Sequence, residues 1–150
     1  MSAHERQGMS GRLRLVASDA GHEVLRRDVQ NLITQGGRTL VAKFFTGLVQ
    51  AAPRLHIAVG RGTTPQAPGD TRLELELARA EARVAVAAGA PTATVTAVLP
   101  ATGGSEVQAI HEAGVVITVG DTEVLYNRVV FPVVHKSPTM ELTLSWEVEF

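Results

Sequence analysis

The last eleven residues, "MELTLSWEVEF" (residues 140–150), alternate without a fault. Leu142, Leu144, Trp146, Val148 and Phe150 share one face, and Glu141, Thr143, Ser145, Glu147 and Glu149 share the other. Successive side chains of a strand point to opposite faces, so this period of two reads as a half-buried β-strand and not as a helix. Slipping the register by one residue would turn the tryptophan and its apolar neighbours out into water. A strand with one apolar face needs a second layer to cover it. The expectation is that the five apolar residues are buried together, with the aromatic residues of a helix nearby.

Most of the chain repeats that period. "RLRLV" (residues 12–16) alternates, the "SDAGHE" stretch supplies turn chemistry, and "VLRRDVQNLIT" continues as an irregular second strand, giving a hairpin. "RLHIAVG" places Leu55, Ile57 and Val59 on one side. "VAVAAGAPTATVTAVLP" reads as two strands about the Gly89-Ala90-Pro91 turn, with Thr92, Thr94 and Thr96 on one face and Ala93, Val95, Ala97 and Leu99 on the other. "VQAIHEAGVVITV" and "TEVLYNRVVF" are strands joined at Gly120-Asp121, and Pro132 and Pro138 bracket a short extended piece. "RLELELARAEARV" is ambiguous between helix composition and strand alternation, and reads as a helical turn near Leu73 passing into a strand near Arg83.

One segment changes period. In "NLITQGGRTLVAKFFTGLV", Leu40, Val41, Phe44, Phe45 and Leu48 fall on a helical stripe, Thr34 is placed as N-cap, and Pro53 blocks continuation. The stripe is expected to plug one face or end of a sheet. About eight strands and one helix define a mainly β (α+β) fold. We read it as an antiparallel β-sandwich or rolled sheet, with one amphipathic helix inserted after the first hairpin. A flexible arm is expected over residues 1–11 and a single β-sandwich domain over residues 12–150.

The chain has no cysteine, which excludes disulfides, thiolate metal sites and cysteine nucleophiles. Its 14 basic and 15 acidic residues leave a net charge of -1 and no field of one sign to gather nucleic acid or anionic lipid. The opening "MSAHERQGMSG" lacks the apolar region of a signal peptide, and no apolar run reaches the ~18 residues of a membrane span. A soluble protein with neither nucleic-acid nor membrane partners is expected.

The stretch "IAVGRGTTPQAPGD" invites a phosphate-loop reading, because Gly60 and Gly62 have the spacing of the first two glycines of a dinucleotide fingerprint. Context removes it: Pro65 stands where the third glycine belongs, Pro68 and Gly69 follow, and no helix can start among them. His4, His22, His56, His111 and His135 are scattered, none with a second histidine three to five residues on, and His111-Glu112 is half of a zincin motif without its partner. Glu147 and Glu149 lie ~7 Å apart on one strand face, a separation that inverting glycosidases use, but glutamates alternating with buried residues describe a solvated face. No serine sits in a G-x-S-x-G elbow. A sugar- or base-stacking platform needs exposed aromatics, and Tyr126 is the one spare candidate. No catalytic, cofactor-binding or metal-ligating residue is assigned.

In order, "NLITQGGRTLVAKFFTG", "LHIAVGRGTTPQAPGDTRLELEL", "IHEAGVVI" and "VLYNRVVFPVVHKSPTMELTLSWEVEF" resemble a family of bacteriophage tail proteins. The family includes tail-fibre (collar-type) attachment modules and small stand-alone virion proteins, and similar modules occur in phage-derived contractile injection systems. The resemblance covers residues 12–150. It departs from the family at Val115-Val116, where Leu-Phe usually follows the Glu-Ala-Gly strand, and at Phe150, where fibre-attachment members continue into a shaft. It implies a non-enzymatic structural subunit of a virion or phage-like particle (tail, baseplate or fibre attachment), without cofactor and assembled in the host bacterial cytoplasm. Its partners would be other virion or tail proteins and copies of itself, with a trimer favoured. The alternatives are a receptor- or carbohydrate-binding β-sandwich, or a capsid decoration protein, on such a particle. The charge-free hairpin of residues 84–98 is expected either in a seam between subunits or inside one sandwich.

Overall fold

The structure, a computed structural model, describes residues 9–49 and 51–150. The arm expected at the N-terminus lies outside the described residues as far as residue 8, as does His4. From Ser10 onward the chain is already strand.

Strands β1 (Ser10–Asp19) and β2 (His22–Gln30) form the first hairpin, and β3 (Leu32–Ile33) leads into α1 (Gln35–Phe45). Then follow β4 (Arg54–Gly60), β5 (Glu76–Glu81), β6 (Arg83–Val86), β7 (Thr92–Leu99), β8 (Gln108–Val119), β9 (Thr122–Leu125), β10 (Asn127–Lys136) and β11 (Met140–Glu149). They build two antiparallel sheets, ordered β2-β1-β11-β7-β6 and β3-β10-β8-β4-β5, with β9 on β8. The fold is an α+β β-sandwich, as the alternation requires. The strand count exceeds the expected eight because the short β3 and β9 do not stand out as strands of their own and the segment of β5 carries helix-favouring composition.

The core is the contact between the sheets. In the first sheet, Leu13, Trp146 and Val95 sit side by side across β1, β11 and β7, and Leu15, Leu144 and Ala97 form the next row. All six are buried, against Ile57 and Val59 of β4, Ile110 and Val115 of β8, and Val129 and Val134 of β10. Trp146 is wholly enclosed. Phe150 departs from the expected set at 56% exposed. Its amide bonds to the Pro91 carbonyl at the end of the sheet (2.9 Å), past the last inner-face position that the opposite sheet covers.

The helix starts where expected, with the Thr34 hydroxyl accepting from the Gly37 amide (2.9 Å). Its stripe is not a plug. Gly37 and Leu40 are buried, whereas Phe45 is 89% exposed and Phe44 and Leu48 are also exposed. The reason is how the helix docks. Gly37 lies so close to Tyr126 that a Cβ would strike its backbone, so the helix is held by its first turns and its end projects past the sandwich. No helix among the described residues is long and apolar enough to cross a membrane.

Two further expectations fail locally. Residues near Leu73 are not helical, and β5 begins at Glu76, well before Arg83. Pro132 does not end a strand. It lies within β10, where the pairing with β8 shifts register between Val130 and Val134, and a bulge tolerates a residue without an amide hydrogen. Truncating Trp146 to alanine is expected to cost about 3–5 kcal/mol in urea unfolding, as large core deletions do. The single tryptophan should emit at the short wavelengths of a dry site, and emission at the fully hydrated wavelength would contradict this packing.

Candidate functional site

The long connection between β4 and β5, residues 61–75, holds most of the sequence that invited a chemical reading. A loop of this length normally needs a task or an anchor. Its anchor is Glu112 of β8, a carboxylate with no exposed surface. Oε2 accepts from the amides of Gly62 (2.7 Å) and Leu75 (2.8 Å), and Oε1 from the Glu74 amide (2.9 Å). Oε1 also receives the Arg128 Nε hydrogen at 3.0 Å. Arg128 passes on through Nη1 to Asp70 Oδ2 (3.0 Å), which also caps the Ala67 amide (2.9 Å). A buried charge is tolerated when it is paired and hydrogen-bonded, and Glu112 meets both conditions.

This geometry answers the Gly-x-Gly question. A Cβ on Gly60 would lie 2.7 Å from Glu112 Oε2, and one on Gly62 would strike the same oxygen. The two glycines let the backbone approach a carboxylate of the protein itself, and the phosphate-loop spacing is incidental. Leu73 starts no helix: its side chain is buried beside Ala58, Val116 and Leu125, and from Glu76 the chain runs on as β5, paired with β4.

The outer wall of the loop is closed by Glu74, whose Oε1 accepts from the Thr63 amide (3.0 Å) and whose Oε2 takes the Thr64 hydroxyl. That hydroxyl bond, followed by the loop amides, holds the Glu74 carboxyl below the usual range. Gln66 Oε1 accepts from the Val130 amide (3.2 Å), and the Pro68 carbonyl from the Gln35 amide (2.8 Å), which ties the loop to the first turn of α1. Thr64, Asp70, Thr71, Arg72, Glu74 and Arg128 border a shallow polar depression of about 350 Å³ here.

At the opposite edge of β8, β9 and β10 follow one another, with a break at Tyr126 just before Asn127. Asn127 fills the break by accepting the Val115 amide on Oδ1 (2.8 Å), and its own carbonyl stands where a Cβ on Gly114 would go. Tyr126, the aromatic expected to be free, is buried between the helix and the sheet, and burial pushes its hydroxyl up to about 12.

The remaining candidates are not brought together. Glu147 and Glu149 are exposed beside Arg12, Gln30 and Asn31 at a polar hollow of about 270 Å³. Among the described residues no group of three or more His, Asp or Glu side chains could hold a metal. A second hollow, about 470 Å³ and almost wholly apolar, opens between the sheets beside the end of α1 and reaches Val84 of β6, Phe44, Phe45 and Phe150.

The sequence reading missed the Glu112–Arg128–Asp70 chain. Its signal was two lone charges inside otherwise apolar strand runs: Glu112 pairs in register with Val130, and Arg128 lies two residues along the same face. No family model, curated protein or solved structure matches this chain. Replacing Arg128 by methionine should lower stability by about 3–5 kcal/mol in urea unfolding, because it strands a buried carboxylate, and replacing Glu112 by methionine as well should restore part of it. A loss under about 0.5 kcal/mol, within the usual range for surface changes, would contradict the anchor.

Proposed function

We propose that this chain is a non-enzymatic structural subunit of a bacteriophage virion or phage-like particle, serving as a tail, baseplate or fibre-attachment component. In this role it assembles with other virion or tail proteins and with copies of itself, three in the arrangement that the resemblance favours.

One observation carries the reading. The motifs on which the resemblance rests converge in space. Gly60, Gly62 and Asp70 of "LHIAVGRGTTPQAPGDTRLELEL" meet Glu112 of "IHEAGVVI" and Arg128 of "VLYNRVVFPVVHKSPTMELTLSWEVEF". Glu74, near the end of the same loop, joins through its amide. Chemistry-bearing side chains are consumed in holding a long loop, which suits a subunit selected for a fixed shape. Gly114, in the same motif as Glu112, serves a neighbouring close approach to Asn127.

The test is fractionation. In a lysate of cells that carry the gene and produce particles, the chain should band with those particles in a density gradient and remain there after washing in high salt. A chain confined to the top of the gradient, with the particles banding without it, would contradict the proposal.

A further inference from the structure

The inner face of the first sheet is wider than the layer that covers it. The row Leu13–Trp146–Val95 continues onto Val84 of β6, and the row through Val148 and Ala93 continues onto Val86. Trp146 and Val95 are buried, yet Val84 is half exposed and Val86 is 76% exposed, because no strand of the second sheet lies over β6. The end of α1 stands across the gap with Phe44 and Phe45, and Phe150 borders the same opening.

Three features say what covers this surface. The first is area. Phe44, Phe45, Val84, Val86 and Phe150 alone leave roughly 500 Å² of apolar side chain in water, taking a large aromatic as about 200 Å². That is near the upper end for the largest patch on a monomer and well over half of the ~800 Å² per partner of a standard interface, before the walls of the hollow are counted.

The second is the pattern of edge protection. The sheet edge at β2 is guarded by Glu23, Arg26, Arg27 and Asp28, and the edge at β5 by Glu76, Arg79 and Glu81. β3 is only two residues long. β6 presents Val84, Ala85 and Val86 with Arg83 as its one charge, and it lies on the rim of the hollow. Edges left open to water are charged or blunted, so one that carries a single charge at its first residue and only apolar side chains beyond it, beside an apolar hollow, is built to be covered. The third is complementarity. The protruding Phe45 and the hollow sit side by side on one patch, so the patch supplies both the knob and the hole that one contact requires.

We infer that another copy of this chain covers the open end of the sandwich, seating apolar side chains about Phe45 in the hollow between β6 and α1. The inference rests on the self-association in the proposed role and supplies its surface. It does not depend on which particle the chain joins.

Light scattering coupled to size exclusion tests it, with the full chain at micromolar to high-micromolar concentration. The expected mass is two or more times the 15.9 kDa of one chain. Phe45→Asp and Val86→Lys change exposed positions, so both variants should keep the far-ultraviolet circular dichroism of the parent. Each should weaken assembly at least tenfold, giving 15.9 kDa at concentrations where the parent is assembled. A parent that stays at 15.9 kDa throughout, including one whose hollow binds a hydrophobic dye as a vacant site for a different partner, would overturn the inference. So would two folded variants that assemble as tightly as the parent. Fractionation with particles is read separately, so a monomeric chain that still bands with particles removes this surface and leaves the structural role standing.

Discussion

A carboxylate buried in the middle of a sheet dictates much of what surrounds it. Taking Glu112 out of water costs several kcal/mol, and the cost is recovered only if a cation and enough hydrogen-bond donors meet it in good geometry. Arg128 supplies the cation, two strands away in sequence but adjacent in the sheet. The donors come from the backbone of the β4–β5 loop, which has to fold back over β8 to deliver them. A Cβ at residue 60 would strike the Leu75 carbonyl as well as the Glu112 carboxylate, and one at residue 62 would strike the carboxylate, so the close approach of loop and carboxylate leaves room only for glycine at both. Asp70 then turns the free end of Arg128 into a second fastening for the same loop.

The fastened loop positions other parts of the molecule. Through the Pro68 carbonyl it holds the first turn of α1, whose Thr34 cap and close-packed Gly37 sit against the Leu125–Tyr126 backbone. The helix is therefore gripped at its N-terminal end, and its C-terminal end stands over the open edge of the sandwich. The charged cluster on one side and the apolar hollow on the other are linked by one short helix. Polar groups that serve the chain's own rigidity beside an exposed apolar surface are the division of labour that the proposed role calls for.

What was legible in the sequence was whatever depended on local periodicity. The alternation of β11 gave the buried faces of Leu142, Leu144, Trp146 and Val148, and Thr34 marked the helix start, because both follow from backbone geometry over a few residues. What was not legible depended on which elements end first. Phe150, Phe45 and Tyr126 each follow a correct local pattern, but their burial is set by whether an opposite layer reaches them, and a pattern has no access to that. Glu112 was hidden for a related reason: its partners lie 16 to 50 residues away, and beside His111 it looked like half of a metal motif. The Leu73 region failed because helix-favouring composition was outweighed by burial of Leu73 beside Ala58, Val116 and Leu125 and by the pairing of β5 with β4, both set by distant parts of the chain.

Amide hydrogen exchange resolved to single residues addresses the anchoring of the loop most directly. If Glu112 holds it, the amides of Gly62, Glu74 and Leu75 should exchange as slowly as those in the paired middle of β8, although they lie in a loop without regular structure. Exchange at those three amides as fast as at the exposed tip near Gly69, with β8 itself still protected, would mean that the loop is free and the account wrong.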